Sequence, residues 1–438
     1  MKKKFLAALL SLVMLLSLAA CGGGDSTADQ GGATPPADAG STTDTPADPA
    51  ADVKIGLICV HDINSGYDAA HIEGLSAACA ALGIDANDTD KVVIRYNIDE
   101  NEACHDAAVD LAELGCNIIF SDSYGHQAFM LQAAQEYEDI TFVSCTGDQA
   151  ALSGLSNFKN IFPYTYESRY VSGVVAGMKL KELMDAGTVS DPYVGYVGAY
   201  PYAEVVCGYT AFLLGIQSIV PEAHMDVQYT NSWYDPNAEA ETANALMARG
   251  CVIIGQHADS TGAPSAVQEA LKSGTVAYSV GYNIDMLSVA PDAALTSAQN
   301  NWAVLYQATL EKFMAGEEIP TDFATGIADD AVMISALGSS CAPGTQEAVD
   351  AAWAGIKDGS LKVFDTSKFT CQPSSDGTYE VDADGHVTSC YAFDITGDFV
   401  ADADSGNAIV DGAFQESVLR SAPYFALRVD GITELNNN

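Results

Sequence analysis

Residues Asp110-Leu-Ala-Glu-Leu-Gly-Cys-Asn-Ile-Ile-Phe120 recur in outline as Asn244-Ala-Leu-Met-Ala-Arg-Gly-Cys-Val-Ile-Ile254. In both copies an amphipathic segment leads into Gly-Cys and then into a short apolar run, which is typical of a helix followed by a buried strand. Gly115 and Gly250 stand where a helix ends, because glycine readily adopts the left-handed conformation that other residues resist. Helix-glycine-strand units are common in α/β proteins, but the matching neighbours favour duplicated lobes.

Short apolar runs alternate with longer amphipathic runs around both copies. In the first half the pattern predicts strands at 54–60, 92–97 and 117–121 and helices at 68–82, 102–114 and 127–136. In the second half it predicts strands at 194–197, 226–231 and 252–255 and helices at 204–219 and 238–248. Such alternation indicates parallel sheets with helices on both faces, so we expect an α/β fold with two doubly wound lobes. The carboxyl ends of the two sheets can then face each other across a ligand cleft.

The composition restricts the partners of the chain. Its 438 residues include 18 Lys+Arg against 59 Asp+Glu, a formal net charge of -41, and 48% of them are apolar. This length and apolar content suffice for two or more domains with full cores. Nucleic acids and anionic membrane surfaces are excluded as partners, because both require several cations at the contact.

The N-terminus has the pattern of an export signal. The basic Lys2-Lys-Lys4 precedes an apolar run, Phe5–Leu18, which is too short for a permanent transmembrane helix. Leu18-Ala-Ala-Cys21 resembles a bacterial lipobox, in which the cysteine is lipid-modified and the peptide is cut just before it; the alternative is an ordinary signal peptide with a chance cysteine. We expect a signal peptide at 1–20 and a lipid anchor at Cys21, which would place the protein on the extracytoplasmic face of the cell membrane.

The chain has 11 cysteines. Cys59, Cys145 and Cys251 lie in apolar runs typical of buried strands, where a free thiol behaves as a small apolar side chain. We therefore expect a largely reduced protein, with Cys371 and Cys390, which flank a turn-rich segment, as the one pair that could form a disulfide. There is no Cys-x-x-Cys and the seven histidines are scattered, so no metal site is expected.

The segment beyond Asp365 has short strands and Asp-rich turns, and the pattern predicts a helix at Phe414–Ala422. Asp382-Ala-Asp-Gly385 and Asp402-Ala-Asp404 resemble the start of calcium loops, but neither continues with the ligands that coordination requires. We therefore interpret both as solvated turns.

An enzyme would need a catalytic constellation, and no hydrolase elbow, phosphate loop or zinc-protease motif is present in the sequence. His257-Ala-Asp-Ser260 contains the three residue types of a hydrolase triad, but neighbours in one short loop cannot align as nucleophile, base and orienting acid. We expect neither catalysis nor a cofactor.

Aromatic, amide and carboxylate side chains instead follow the predicted strands. Aromatic faces stack on flat rings, and carboxylates and amides bind ring N–H groups. This chemistry suits a planar, nitrogen-rich ligand in a closed cleft, although pyranose sugars also stack on aromatic rings. The segments concerned are Asn64-Ser-Gly-Tyr-Asp68, Ser121-Asp-Ser-Tyr124, Ala199-Tyr-Pro201, Asn231-Ser-Trp-Tyr-Asp235, His257-Ala-Asp-Ser260 and Gly281-Tyr-Asn-Ile-Asp285.

These segments lie within a wider resemblance, from Lys54 to Gly316, to the basic membrane protein family of ABC-transporter substrate-binding lipoproteins. The resemblance implies a type I periplasmic-binding-protein fold, with two lobes joined by crossing strands, and a purine nucleoside or purine as ligand. The motifs that carry it are Gly66-Tyr-Asp-Ala-Ala-His-Ile-Glu-Gly74, Glu167-Ser-Arg-Tyr-Val-Ser-Gly-Val-Val-Ala-Gly177, Gly195-Tyr-Val-Gly198, Glu204-Val-Val206, Asn231-Ser-Trp-Tyr-Asp-Pro236, Gln256-His-Ala-Asp-Ser260 and Leu295-Thr-Ser297.

The resemblance also implies roles for individual residues. Tyr67 and Trp233 would form an aromatic sandwich, with Asp68 at the polar position beside the first ring. Nucleoside-binding relatives have a lysine after the Thr-Ser pair that contacts the sugar, and Asn300 takes its place here, which leaves ribose and free base both open. The complete expected ligand site is Tyr67, Asp68, Tyr124, Tyr200, Trp233, His257, Asp259, Asn283, Asp285, Asn300 and Trp302.

We therefore expect an extracytoplasmic substrate-binding lipoprotein of an ABC importer, which works as a monomer with a permease and captures a purine nucleoside or purine base. A sensory lipoprotein with the same cleft and a sugar-binding receptor of the same fold are the alternatives. The expected parts are a flexible linker at 21–52, lobe 1 at 53–163 plus 295–320, and lobe 2 at 164–294 plus 321–438, which carries an acidic C-terminal extension.

Overall fold

A computed structural model describes residues 53–396 and 400–436. The expected signal peptide, the lipid anchor at Cys21 and the linker up to residue 52 lie outside these residues. No helix in the described ranges is long and apolar enough to cross a membrane.

Seventeen strands are described, and the central ones are short and buried along their whole length. They are β1 Ile55–Ile58, β2 Val92–Arg95, β3 Ile118–Ser121, β4 Thr141–Ser144, β5 Phe158–Pro163, β6 Tyr193–Gly198, β7 His224–Tyr229, β8 Ile253–Gln256, β9 Tyr278–Tyr282, β10 Ala294–Asn300, β11 Asp322–Thr325, β12 Val332–Ile334, β13 Tyr379–Val381, β14 Val387–Cys390, β15 Ile409–Val410, β16 Ala413–Phe414 and β17 Ile432–Glu434.

The helices of the described ranges connect these strands. They are α1 Gly66–Ala81, α2 Glu102–Glu113, α3 Gln127–Glu136, α4 Ala150–Ser153, α5 Thr165–Asp185, α6 Ala203–Gln217, α7 Pro236–Ala248, α8 Gly262–Lys272, α9 Trp302–Ala315 and α10 Thr345–Lys357. Side-chain caps fix three of the N-termini: Ser65 accepts a hydrogen bond from the amide of Asp68, Asn101 accepts one from the amide of Ala103, and Asp235 caps α7 just before Pro236.

The strands form two large sheets, and each defines a lobe. The first lobe has a six-stranded, fully parallel sheet in the order β11-β5-β4-β3-β1-β2. The second lobe has a seven-stranded sheet in the order β12-β10-β9-β8-β6-β7-β17, in which β12 alone runs antiparallel to its neighbour. The predicted α/β class and the tandem parallel sheets are confirmed.

The chain passes between the lobes more than once. After β5 in the first sheet it continues to β6 in the second, and after β10 it returns through α9, which packs against α1, to β11 in the first sheet. It then enters the second sheet again at β12. The crossing connections of a two-lobed binding protein are therefore present, while the numerical lobe boundaries stay a prediction.

The repeat that defined the lobes has the expected geometry. Gly115 follows α2 with a φ of +88° and Gly250 follows α7 with a φ of +106°, and each leads into a fully buried strand, β3 or β8. Both glycines thus occupy the left-handed region in which side chains are disfavoured.

One expectation for the C-terminal part is wrong, and the one disulfide that the sequence left possible is absent. Phe414–Ala422 is not a helix: the buried carboxylate of Glu416 accepts hydrogen bonds from the amides of Ser417, Tyr424 and Phe425, and Ser417 has a φ of +59°, which turns the chain. Cys371 and Cys390 do not form a disulfide. The ten described cysteines are all free thiols, as expected for a largely reduced protein.

Candidate functional site

A small cavity of about 20 Å³ lies between the carboxyl ends of the two sheets, where ligands of doubly wound proteins bind. The first lobe lines it with side chains that follow β1, β3 and β4, together with Tyr67 on α1. The second lobe lines it with side chains that follow β7 and β8, together with Tyr282 at the end of β9 and Glu204 on α6. The lining residues are Val60, Tyr67, Asp122, Ser123, Tyr124, Thr146, Glu204, Trp233, His257, Asp259 and Tyr282.

The two lobes touch each other around this cavity. The rings of His61 and Tyr234, one from each lobe, have centroids 5.5 Å apart, and those of Tyr124 and Tyr202 are 6.0 Å apart. The amide of Gly66 also reaches a carbonyl oxygen of the second lobe. The structure therefore represents a closed state, which encloses its ligand space.

Tyr67 forms the aromatic wall on the first lobe. Its hydroxyl donates a hydrogen bond to the carbonyl oxygen of Cys145 at 3.0 Å, and the edge of its ring meets His71 at a centroid distance of 4.6 Å. His71 in turn lies 3.8 Å from the ring of Trp302. Because His71 and Trp302 are buried behind it, Tyr67 has a fixed orientation toward the cavity.

Asp122 provides the buried acid of the first lobe. Its Oδ1 accepts a hydrogen bond from the amide of Val60 at 3.0 Å. Its carboxyl group lies close to the carboxyl group of Asp68 and to the thiol of Cys59. Burial, followed by the charge of Asp68, raises the pKa of Asp122 well above its usual range. Burial acts to raise the pKa of Asp68, but hydrogen bonds, first of all from His61 and Ser65, together outweigh it and hold this pKa below its usual value.

The opposite directions of the two pKa shifts favour a neutral Asp122 next to a charged Asp68. Burial also raises the pKa of the Cys59 thiol well above its usual value, which keeps it protonated. The donor atoms of Cys59, Asp68 and Asp122 lie within 4.8 Å of one another. The cluster thus places two buried acids and a thiol side by side at the first-lobe wall of the cavity.

The second lobe contributes a histidine that stays neutral. Burial, followed by the charge of Arg169, lowers the pKa of His257 to about 4, although its Nε2 lies 3.1 Å from Glu204 Oε1. The other ring nitrogen faces α6 at Gly208, where an added Cβ would lie 2.9 Å from it. A glycine is therefore required at that point of the helix for the ring to fit.

Tyr282 separates the cavity from a buried cation. The guanidinium carbon of Arg169 lies 3.5 Å from the Tyr282 ring centroid, and its NH1 donates to the carbonyl oxygen of Gln256 at 2.7 Å. The cation–π contact places the positive charge behind the ring rather than in the cavity. No lysine or arginine is among the described residues that line the cavity, whereas Asp122, Glu204 and Asp259 are.

Five of the expected site residues line the cavity. They are Tyr67, Tyr124, Trp233, His257 and Asp259. Asn283 supports one of them from behind, since its Nδ2 donates to Asp259 Oδ1 at 2.8 Å. Asn300 lies buried near the hydroxyl of Tyr282, with an Nδ2–Oη distance of 3.4 Å. Neither amide side chain reaches the cavity.

The other expected residues lie elsewhere. Asp68 is buried beneath Asp122, and Trp302 is buried behind His71. Tyr200 is half-buried outside the cavity and stacks on Tyr202 at 5.2 Å. Asp285 is exposed, and its Oδ1 accepts the amide hydrogen of Leu287 at a helix start.

The sequence expectation missed six lining residues, which are Val60, Asp122, Ser123, Thr146, Glu204 and Tyr282. Four of them belong to segments already singled out after strands or in family motifs. The missing signal is the direction of each side chain, which depends on where a loop leaves the sheet.

Comparisons with known proteins agree with this architecture. The family model described as "ABC transporter substrate-binding protein PnrA-like" matches residues 53–359. A purine-binding protein from Brucella abortus is 33% identical over 257 residues, which cover 58% of this chain and 67% of that protein. A Haloferax volcanii protein, named for glucose binding by an ABC transporter, is 31% identical over 253 residues, which cover 58% of this chain and 60% of that protein. The chain thus spans about two thirds of the length of these relatives.

Solved structures show the fold. A solute-binding protein of an ABC transporter system from Aeropyrum pernix superposes with a TM-score of 0.59 at 15% identity, over 74% of this chain and 95% of that one. A solute-binding protein from Conexibacter woesei gives a TM-score of 0.53 at 21% identity, over 71% of this chain and 98% of that one. The fold is that of the type I periplasmic binding proteins.

Proposed function

The chain belongs to the PnrA-like family of ABC transporter substrate-binding proteins, and we propose that it captures a purine, as the free base or its nucleoside, in the cavity between its lobes. The closed lobes would then present the ligand to the permease of an ABC importer. Closure is a hinge motion about the crossing connections, which the ligand stabilises through contacts that only the closed state offers.

The observation that supports this ligand most is the combination of Tyr67 and Trp233 with Asp122 and Asp259 in one enclosed space. Aromatic rings stack on either face of a flat heterocycle, and each stacking contact contributes about 1–3 kcal/mol. Asp122 and Asp259 both have a pKa raised by burial, so each can bond a ring nitrogen as donor or as acceptor. The Brucella relative is named for purine binding, and a purine fits the same chemistry.

The position of Asn300 favours the free base over the nucleoside. The family resemblance associates this position with a sugar contact, but the side chain of Asn300 lies buried next to Tyr282. Among the described residues that line the cavity, none is a lysine or arginine that could replace the sugar contact of the nucleoside-binding relatives. The cavity therefore offers most of its polar groups to the heterocycle.

Thermal unfolding of the purified protein with a ligand panel tests this proposal. A ligand at 100 times its Kd adds about 2.7 kcal/mol to the free energy of unfolding, so binding appears as a higher Tm. The panel contains adenine, guanine, hypoxanthine, their ribonucleosides, ribose and glucose. A shift with the bases alone indicates a purine receptor, and a shift with the nucleosides alone indicates that ribose is required.

A sugar receptor is the second candidate, because the Haloferax relative is named for glucose binding. Tyr67, Trp233 and three carboxylates could also hold a pyranose, since sugar rings stack on aromatic faces and donate hydroxyl hydrogens. A Tm shift with glucose or ribose and none with purines would replace the purine proposal.

A sensory role with a partner other than a permease would use the same cleft. The neighbouring genes distinguish this role from transport, because a transporter gene cluster encodes a permease.

We also propose that Cys21 carries a lipid that anchors the protein on the outer face of the cell membrane. The lipobox pattern Leu18-Ala-Ala-Cys21 supports this location. Cell fractionation of the Cys21→Ser variant tests it: the variant should leave the membrane fraction, while the unaltered protein should stay there. Nucleosides incubated with the protein should be recovered unchanged, as expected for a receptor without enzymatic activity.

A further inference from the structure

The C-terminal extension, residues 360–436, follows directly after the segment that the family model matches. It packs on the second lobe through an apolar core and one strand. Phe364 and Phe425 stack at 4.2 Å within the same hydrophobic cluster as residues of α5 and α6, and β17 adds a parallel strand next to β7. The extension is thus firmly built into the second lobe.

One loop of the extension, Ser417–Ser421, which we call the strap, reaches the first lobe. The amide and the hydroxyl of Ser421 donate to Asp322 Oδ1 on β11 at 3.0 and 2.7 Å. Arg420 NH1 lies 3.6 Å from Asp148 Oδ2 in the loop after β4. These contacts are polar, unlike the apolar attachment of the extension to the second lobe.

Asp148 connects the strap to the ligand cavity. Its Oδ2, which faces Arg420, also accepts a hydrogen bond from the hydroxyl of Tyr124 at 2.6 Å, and Tyr124 lines the cavity. The amide of Asp148 donates to Gln127 Oε1 at 2.7 Å, which holds the loop in place. Asp148 and Tyr124 therefore connect Arg420 of the extension to the cavity.

We propose that the strap is a latch that holds the two lobes closed, and that Arg420 is a positioning residue that orients Tyr124 through Asp148. The side chains of Arg420 and Asp148 are 12% and 22% exposed, so water can replace their contact when the lobes open. Arg420 stays on the extension when the latch opens, because its guanidinium also lies over the Phe393 ring at 4.5 Å. The proposal rests on the proposed function for the identity of the ligand, but not for the latch itself.

The first test measures the release of 2-aminopurine, a fluorescent purine, by stopped flow. Arg420→Gln should release it about threefold faster than the unaltered protein, as expected for loss of a partly exposed ion pair. Arg420→Lys should restore much of the slow release. Lys362→Gln removes the same charge from the extension, where Lys362 bonds only the carbonyl oxygen of Asp411 among its described contacts, and should leave the rate unchanged.

The second test locks the latch. Asp322→Cys/Ser421→Cys should form a disulfide on treatment with diamide, which takes up both thiol hydrogens, and each single variant serves as the control. The locked protein should exchange 2-aminopurine at least about tenfold more slowly, and reduction should restore exchange. Unchanged exchange in the locked protein would overturn the latch, as would a folded double variant that forms no cross-link.

Failure of the ligand proposal gives a different result. If the unaltered protein does not bind 2-aminopurine or any purine of the panel, the proposed function fails, and small-angle scattering of ligand-free protein then judges the latch alone. The reduced double variant should show a larger radius of gyration than its cross-linked form. Equal radii would mean that the strap does not control opening.

Discussion

The backbone amide of Gly66 donates a hydrogen bond to the carbonyl oxygen of Asp259 at 3.2 Å. Gly66 is the first residue of α1 in the first lobe, and Asp259 lies in the loop after β8 in the second lobe and lines the cavity. A Cβ on residue 66 would lie 3.1 Å from that carbonyl oxygen and 3.4 Å from the side chain of Ile284. The absence of a side chain at this point therefore lets the lobes approach each other.

Gly66→Ala should weaken ligand binding without weakening the fold. The added methyl group meets a backbone oxygen of the opposite lobe, so the closed state becomes strained by about 1–2 kcal/mol and affinity falls about tenfold. Alanine is the better helix former, so the stability of the ligand-free protein should not decrease. Isothermal titration and ligand-free thermal unfolding measure the two effects. Equal affinity in the variant would show that the lobes do not close on this contact.

Trp233→Ala should remove a stacking surface from the second lobe. Loss of one base–aromatic contact is worth about 1–3 kcal/mol, which corresponds to roughly a tenfold to hundredfold loss of affinity. Trp353→Ala is the matched control, because Trp353 on α10 packs against the core of the second lobe and does not line the cavity. Titration should show normal affinity for the control. A Trp233→Ala variant with unchanged affinity would remove this ring from the site.

Local patterns were enough to predict the lobes. The helix-glycine-strand repeat around Gly115 and Gly250 identified both sheets, because φ above zero and strand burial are properties of a short segment. The C-terminal helix expected at Phe414–Ala422 failed for the opposite reason. There the conformation depends on Glu416, whose carboxylate collects amides from residues up to nine positions away.

The site was predicted less completely than the fold. Strand ends pointed to loops that line the cavity, but not to the side chain within each loop that faces it. Asp68 and Asp122 illustrate this: the family pattern selects Asp68, whereas the structure buries it and presents Asp122 to the ligand space. Which acid is in front depends on the packing of α1 against β1 and β3, and that arrangement has no signature in either segment alone.

Asp122→Asn should reduce the loss of stability at high pH. Because the pKa of Asp122 is raised, the folded protein keeps a proton that the unfolded chain releases above about pH 4. The free energy of unfolding therefore falls as the pH rises from about 4 to the raised pKa of the folded protein. An asparagine amide has no such proton to lose and can donate to Asp68 instead. Urea unfolding at pH 5 and pH 8 should therefore show a smaller difference in the variant.

A matched control separates this effect from the other buried acids. Burial raises the pKa of Glu167, Glu239 and Glu416 to about 7, and these residues add the same trend to both proteins. Asp106→Asn, at an exposed position of α2, should leave the pH dependence as it is in the unaltered protein. If Asp122→Asn behaves like this control, Asp122 is charged in the folded protein and its pKa is not raised.

Phosphorylated ligands should be rejected. The cavity is lined by Asp122, Glu204 and Asp259, and the nearest buried cation, Arg169, lies behind the ring of Tyr282. A phosphate group brought into this space would lose its hydration and find no cation in contact, at a free-energy cost above about 3 kcal/mol. Guanosine monophosphate and adenosine monophosphate should thus bind at least about a hundredfold more weakly than the corresponding nucleosides or bases in the same titration. Comparable affinity for the nucleotides would require Tyr282 to move aside, so that the guanidinium of Arg169 becomes a ligand contact.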